Sequence, residues 1–352
     1  MNFFAYRLPG DTKVYAFKSQ RILGRANGEG FVISPFTNRE DEQMTIPADT
    51  EINVSDLDAL EAESCSDSSH RLYSFPLKSV SQAEHCSIVT HAIGEMKQNP
   101  DLTKVVIATT TVHEGVLSLS DTFEALCEAY PDAFVFCFHT PQSGTWLGAS
   151  PEKLLSQSGP RMTTSALAGT RPAGTSGDWD SKNIEEQRIV RDFVLDAMRS
   201  QGIRPKCGEL HTKHAGPVEH LCNDISAFLL ADYDILAERL LRVLSPTPAL
   251  CGFPKEAAMQ TILNLEPFQR GYYGGYCGPR HRNGNFEYYV NLRSLRKEGA
   301  AYCIFAGGGI LPESDPDTEW LETRRKAQTL SNQLKFLPKD FYVPCPKTKS
   351  EG

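Results

Sequence analysis

Carboxylates on the buried faces of two helices are the first candidates for chemistry in this 352-residue chain. Between Asn183 and Met198 the residues Ile189, Val190, Phe193, Val194 and Ala197 recur at helical spacing, and Glu186 falls in register with Val190, Phe193 and Ala197. Its carboxylate therefore points inward, where an ionised group is costly unless a cation, a metal or a proton compensates it. The alternative is a glutamate near the helix start that bends back to solvent beside the amino-terminal dipole. A last helix, after Asp315-Pro316, repeats the pattern: Glu319, Glu322 and Lys326 lie on the side that continues to Leu330. Two helices offering inward carboxylates suit a hard divalent ion, and carboxylates with water and an anionic ligand describe magnesium better than zinc.

Acid–base work needs other groups. Lys104 opens the apolar run KVVIA, where a buried strand emerges, and such a lysine can activate water if burial draws its pKa toward neutrality. A solvated strand-edge lysine is the ordinary alternative. Glu152 follows Pro151 at a strand end and can stay protonated in a closed site, ready to help expel a hydroxyl. Arg293, read within a strand between Leu292 and Ser294, can grip a carboxylate in bidentate fashion, with Lys326 as a point charge. A salt bridge within the sheet competes with that reading. Gly169, Gly307 and Gly308 mark places where backbone N–H groups can approach a ligand.

These groups need a rigid frame, and the densest constraint lies between Leu244 and Pro279. Pro246 and Pro248 hold the chain extended around Thr247, Gly252 and Pro254 turn it into a helix over 254–265, and Gly271, Gly274 and Gly275 bracket Tyr272 and Tyr273. Elsewhere, FFAYRLPGDTKVYAFK reads as a hairpin, 30–34 as a strand, 53–70 as an acidic and then Ser-rich surface connection, and 80–99 as a helix. Strands are expected over 132–140 and 144–149, in the pair LLSQSG and RMTTSALAGT, and over 286–296 and 300–306. Strands that return on each other with helices inserted argue for an α+β fold with large antiparallel sheets. Ala306–Gly309 lacks GxGxxG spacing and runs into Pro312, against a dinucleotide loop.

Composition narrows the partners. A formal charge of −8 argues against a nucleic-acid binder and obliges any anionic substrate to find local cations or a metal. No apolar run approaches the ~18 residues that cross a bilayer, and the amino terminus reaches proline, glycine and aspartate before a secretory core could form, so a cytoplasmic protein is expected. The ten cysteines contain no CxxC pair and read as reduced thiols, while His211 and His214, without partner cysteines, read as loop rather than zinc site.

Seven stretches occur in order between residues 80 and 335: KVVIAT, GASPEKLL, ALAGTRP, SPTPALCGFPKEAA, LEPFQRGYYGGYCG, YVNLRSLR and AGGGILPESDPDTEWLET. In them the chain resembles the chorismate-utilising enzymes, which include isochorismate synthases, salicylate synthases and the large subunits of anthranilate and aminodeoxychorismate synthases. The resemblance implies two antiparallel sheets sandwiched by helices, with an active site between them. It implies chorismate as substrate and Mg2+ as cofactor, held by Glu186 and Glu322 with Glu319 close by. It gives Lys104 the role of base and Glu152 that of acid, and it puts Gly169, Thr170, His220, Ala249, Leu250, Tyr273, Arg293, Gly307, Gly308 and Lys326 around the substrate.

The activity so implied is isomerisation of chorismate to isochorismate, by water addition at C2 with loss of the C4 hydroxyl, serving menaquinone or siderophore formation. A salicylate synthase, which goes on to eliminate pyruvate, and a non-catalytic relative are the alternatives. The expected organisation is a strand-bearing part over 1–70 within the same fold, a chorismate-binding region over 71–340 and a tail over 341–352. Four departures matter. Lys182-Asn183-Ile184 replaces the Lys-Asp-Arg often seen in the family, which keeps Glu185 as a second candidate ligand. Thr109 ends KVVIAT where relatives have arginine. Ala168 stands where aminodeoxychorismate synthases carry a lysine, so no glutaminase partner is expected. Leu250 stands where salicylate synthases carry a hydroxyl-bearing residue.

Overall fold

The computed structural model describes residues 1–24, 28–39, 42–65, 76–229 and 233–338. Among them the strands, numbered in chain order, form two sheets in which every pairing is antiparallel. The first runs in space as β15 (Gly252–Phe253), β7 (Lys104–Glu114), β19 (Ala301–Ile310), β18 (Ser294–Glu298), β9 (Gly144–Ser150), β8 (Phe134–Thr140), β1 (Asn2–Arg7), β2 (Val14–Ser19) and β6 (Thr50–Glu51). The second runs as β12 (Lys206–Cys207), β14 (Val218–Phe228), β11 (Arg161–Pro172), β10 (Lys153–Ser158), β17 (Phe286–Val290), β16 (Tyr276–Arg280), β4 (Gly30–Ser34), β5 (Met44–Pro47) and β3 (Leu23–Gly24), with β13 (His211–Ala215) also on β14. The helices are α1 (Leu57–Cys65), α2 (Gln82–Gln98), α3 (Leu119–Ala129), α4 (Ser181–Ser200), α5 (Tyr233–Leu244), α6 (Lys255–Leu265) and α7 (Pro316–Ser331).

Strand β8 shows why the layers stack as they do. All seven of its residues are buried, because both of its faces are covered. Period-two alternation sends Phe134, Phe136 and Phe138 into one core, shared with Phe4, Phe31 and Tyr289 across the two sheets; Phe134 stacks on Tyr289 with ring centroids 4.2 Å apart. Val135 and Cys137 enter a second core against Leu57 and Leu60 of α1 and Leu119, Phe123 and Leu126 of α3. A third core joins Val105, Ile107 and Ile310 to α2 and α6. Each large side chain buried this way contributes roughly 1.5–3 kcal/mol.

The chain passes twice between sheets at positions that matter. From β9 it crosses to β10 through Pro151 and Glu152, and from β17 it crosses back to β18 through Asn291, Leu292 and Arg293. The two crossings are bonded side by side: Val290 N–H donates to Glu152 O (3.0 Å) and Ala149 N–H donates to Arg293 O (3.1 Å).

The α+β class with large antiparallel sheets is thus observed, with differences in detail. The strand expected over 286–296 is two strands in different sheets, because Arg293 takes a left-handed φ of 49° that reverses the pleat. Residues 57–65, expected in a surface connection, form α1, with Leu57 and Leu60 buried; the remainder of that connection, 66–70, and the tail over 341–352 lie outside the described residues. His211 and His214 sit on β13 rather than in a loop. The described cysteines whose pairing state is assigned are free thiols, and no helix among the described residues is long and apolar enough to cross a membrane.

Candidate active site

Side chains from both crossings, both sheets and α4 and α7 meet in one cavity. It is lined by Glu152, Gly169, Thr170, Glu186, His220, Ala249, Leu250, Tyr273, Arg293, Gly307 and Lys326, eleven of the fifteen residues singled out from sequence. Lys104, Gly308, Glu319 and Glu322 stand behind that lining. Ala168, noted from sequence as a departure from the family, also lines the cavity, and lining residues that sequence reasoning missed include Phe305 and Gly309. Gly309 was legible in principle, since alternation along β19 puts 307 and 309 on one face and 308 on the other.

Glu152 lies at the first crossing with its carboxyl buried. Burial pushes its pKa up to about 8, against the opposing pull of Lys104 and Lys213, so at neutral pH it keeps its proton. Lys104, fully buried at the start of β7, reaches Glu186 Oε1 at 3.0 Å. The approach is an ion pair without hydrogen-bond alignment, for Lys104 Nζ has no hydrogen-bond partner among the described residues. Burial raises the Glu186 carboxyl, but Lys104, Lys182 and Lys326 outweigh it and hold the carboxylate below its usual range. The inward register of Glu186 on α4 is therefore real, whereas Glu185 turns outward onto Arg188 (2.6 Å). A Cβ at Gly309 would strike Glu186 Oε1 and come within 2.9 Å of Lys104 Cε, so only glycine leaves room for this pair.

The anion-binding side is built on the second crossing. Arg293 donates to Thr329 Oγ1 (2.7 Å) and His220 Nε2 (2.9 Å), and burial lowers its pKa to about 10. His220 Nδ1 lies 2.9 Å from Gly169 O, which can only accept, so Nδ1 carries the proton and Nε2 receives the arginine. Burial and the nearby Arg293 and Lys326 keep this imidazole neutral. Gly169 itself has φ 71° at a bulge in β11, where Asn183 O lies 2.8 Å from any added Cβ. Asn183 then ties the bulge to α4: its Oδ1 accepts Thr170 N–H (2.7 Å), and its N–H donates to the helix cap Asp180 (2.9 Å).

On α7, started by the Asp315 cap and Pro316, Lys326 donates to Gly307 O (2.9 Å) and pairs with Glu322 (2.7 Å). Glu319 is buried, pairs with Lys182 and accepts from Ser314 Oγ (2.8 Å). Its Oε2 is buried without a partner, and burial together with Glu322 raises its pKa. A Cβ at Gly308 would sit 3.1 Å from that oxygen. No three acidic, histidine or cysteine side chains converge on a metal position among the described residues. The Glu319–Glu322 pair nonetheless fits magnesium, a hard ion bound by one or two carboxylates with water and substrate completing its shell. An orphaned carboxylate oxygen beside a like charge is the feature such an ion would relieve.

The family model described as "Chorismate binding enzyme" matches residues 22–335. The isochorismate synthase EntC of Escherichia coli K12 is 35% identical over 209 residues, covering 55% of this chain and 53% of EntC, so the match spans about half the length of that relative. Among solved structures, MenF, the menaquinone-specific isochorismate synthase of Escherichia coli, superposes with a TM-score of 0.75 at 20% identity over 95% of this chain and 88% of that one. Anthranilate synthase component I of Streptococcus pneumoniae superposes with a TM-score of 0.67 at 17% identity over 94% and 92%.

Proposed function

The chain belongs to the chorismate-binding enzymes, and from that membership we propose that it is an isochorismate synthase. The observation that carries the reading is a buried carboxyl, Glu152, whose burial pushes its pKa up and which faces the cavity that Glu186, the ion partner of Lys104, also lines. In the proposed reaction Lys104, which must enter the step as the free amine rather than as the ammonium paired with Glu186, takes a proton from a water that adds at C2 of chorismate. Glu152 gives its proton to the C4 hydroxyl, which leaves as water, so that atoms and protons balance. Arg293, oriented by neutral His220, and Lys326 hold the substrate's carboxylates, and the glycine strand at Gly307 lets the ring approach the backbone. Glu319 and Glu322 would hold magnesium, with Glu186 kept as the further ligand that the family resemblance implies, and the ion would supply a positive charge for a substrate carboxylate. Leu250, Ala249 and Phe305 contribute apolar wall that limits water to the one that reacts.

The test is product analysis after incubating the purified protein with chorismate and Mg2+ and no other enzyme. Isochorismate as the main product is expected. Salicylate with pyruvate as main products would establish the alternative reaction, and unchanged chorismate would make the chain a binding relative.

A further inference from the structure

The peptide that presents Glu152 is held from behind by a lysine outside the cavity. Of the backbone groups around Glu152, its N–H lies 3.3 Å from Ser150 Oγ and its carbonyl receives Val290 N–H at 3.0 Å. The remaining carbonyl, that of Pro151, is taken by Lys213 Nζ at 2.7 Å. Lys213 lies on β13, directly opposite His220 of β14 in register. Its side chain lines a separate groove with Pro151, Lys153, Thr163 and Ser165, and it is not among the residues that line the catalytic cavity.

We propose that Lys213 is a positioning residue for Glu152: its ammonium fixes the sheet-to-sheet crossing that presents the acid and places a positive charge behind it. The inference rests on the acid role proposed above. The groups that face Glu152 are Lys104 from β7, Lys213 from β13, Lys326 from α7 and Thr247 from the 245–251 wall, while Cys222 and Tyr273 feel its charge in turn. Burial lifts the carboxyl and Lys213 is the second of the lysines that oppose the lift. Removing that charge makes the proton harder to lose. A general acid is active while protonated, so the high-pH limb of turnover moves up rather than down.

The experiment compares wild type with Lys213→Met, Lys213→Gln and Lys213→Arg in the full chain. It reads kcat against pH, and independently the titration of the Glu152 carboxyl by infrared difference spectroscopy, with Glu152→Gln to assign the band. Met and Gln should both raise the limb and the titration by roughly one pH unit, the low end of what a nearby opposite charge exerts on a carboxyl. Arg should return both to their wild-type positions. Gln keeps a donor for the Pro151 carbonyl, so an equal shift in Met and Gln isolates charge from folding. A limb and titration that stay put, or move down, overturn the proposal. A titration that moves while the limb does not would leave the lysine linkage standing and remove Glu152 from the acid role.

Discussion

The acid role proposed for Glu152 and a pH dependence of stability rest on the same proton. The folded pKa of that carboxyl, about 8, exceeds the roughly 4.3 of a free glutamate. Between those values the folded chain holds a proton that the unfolded chain has lost, so stability declines as pH rises through that window and levels off above about 8. Glu152→Gln should lower turnover by roughly 10²–10⁴-fold and flatten the fall of Tm between pH ~4.3 and ~8, read by kcat and thermal unfolding across pH. A variant with near wild-type turnover would remove the acid role. Lys104→Ala should abolish turnover while chorismate affinity changes by less than about tenfold, ~1.4 kcal/mol, measured by calorimetry. Near wild-type turnover there would show that another group activates the water. By their flanks alone both residues are ordinary, a strand-edge lysine being usually solvated, and it is the family resemblance that assigns these two positions the roles of base and acid. Lys213 was not legible, because nothing in HTKHAG reports which carbonyl its side chain will reach.

Helices α4 and α7 carry the carboxylates, and their register was readable because caps and apolar spacing are local properties. Asp180 and Asp315 cap them, and Glu186 and Glu319 are buried as spacing required. Elements stabilised by tertiary contact were harder to read. Helix α1 is acidic along its length and is pinned by Leu57, Leu60 and the pairing of Glu61 with Lys297, which lies 236 residues away. The YVNLRSLR stretch alternates through a crossing without a break, so periodicity cannot reveal that the sheet changes at Arg293. Glu322→Gln keeps volume and removes charge from the pair nearest the proposed ion, and Glu186→Gln does so across the glycine strand. Both variants should lose activity yet fold, and Mg2+ should raise the Tm of wild type but not of Glu322→Gln. Full activity of both variants in the presence of a chelator would sink the magnesium site.

Over the whole molecule the architecture leaves the reaction open. Two antiparallel sheets with flanking helices accommodate both MenF and an anthranilate synthase component, so the choice of chemistry must lie in the few side chains that face the cavity. Ala168 presents only a methyl group there, and ammonia should give no aminated product by mass spectrometry. Leu250 faces the same space, nearly fully buried, and Arg270 Nη1 fixes its carbonyl at 2.7 Å. Arg270 is itself locked by Glu266 (2.8 Å) and by Val106 O (2.7 Å), so a substitution at 250 changes the side chain without freeing the wall. Pyruvate elimination breaks the enolpyruvyl ether and develops charge on its oxygen, which a hydroxyl at 250 could meet and a leucine cannot. Leu250→Thr should therefore divert part of the product to salicylate and pyruvate while slowing isochorismate formation. One hydroxyl in a site shaped for another residue contributes only about 1–3 kcal/mol, which bounds the diversion to a partial one. Chromatography of both enzymes on chorismate decides it: no salicylate from the variant would show that the wall at 250 does not set where the reaction stops.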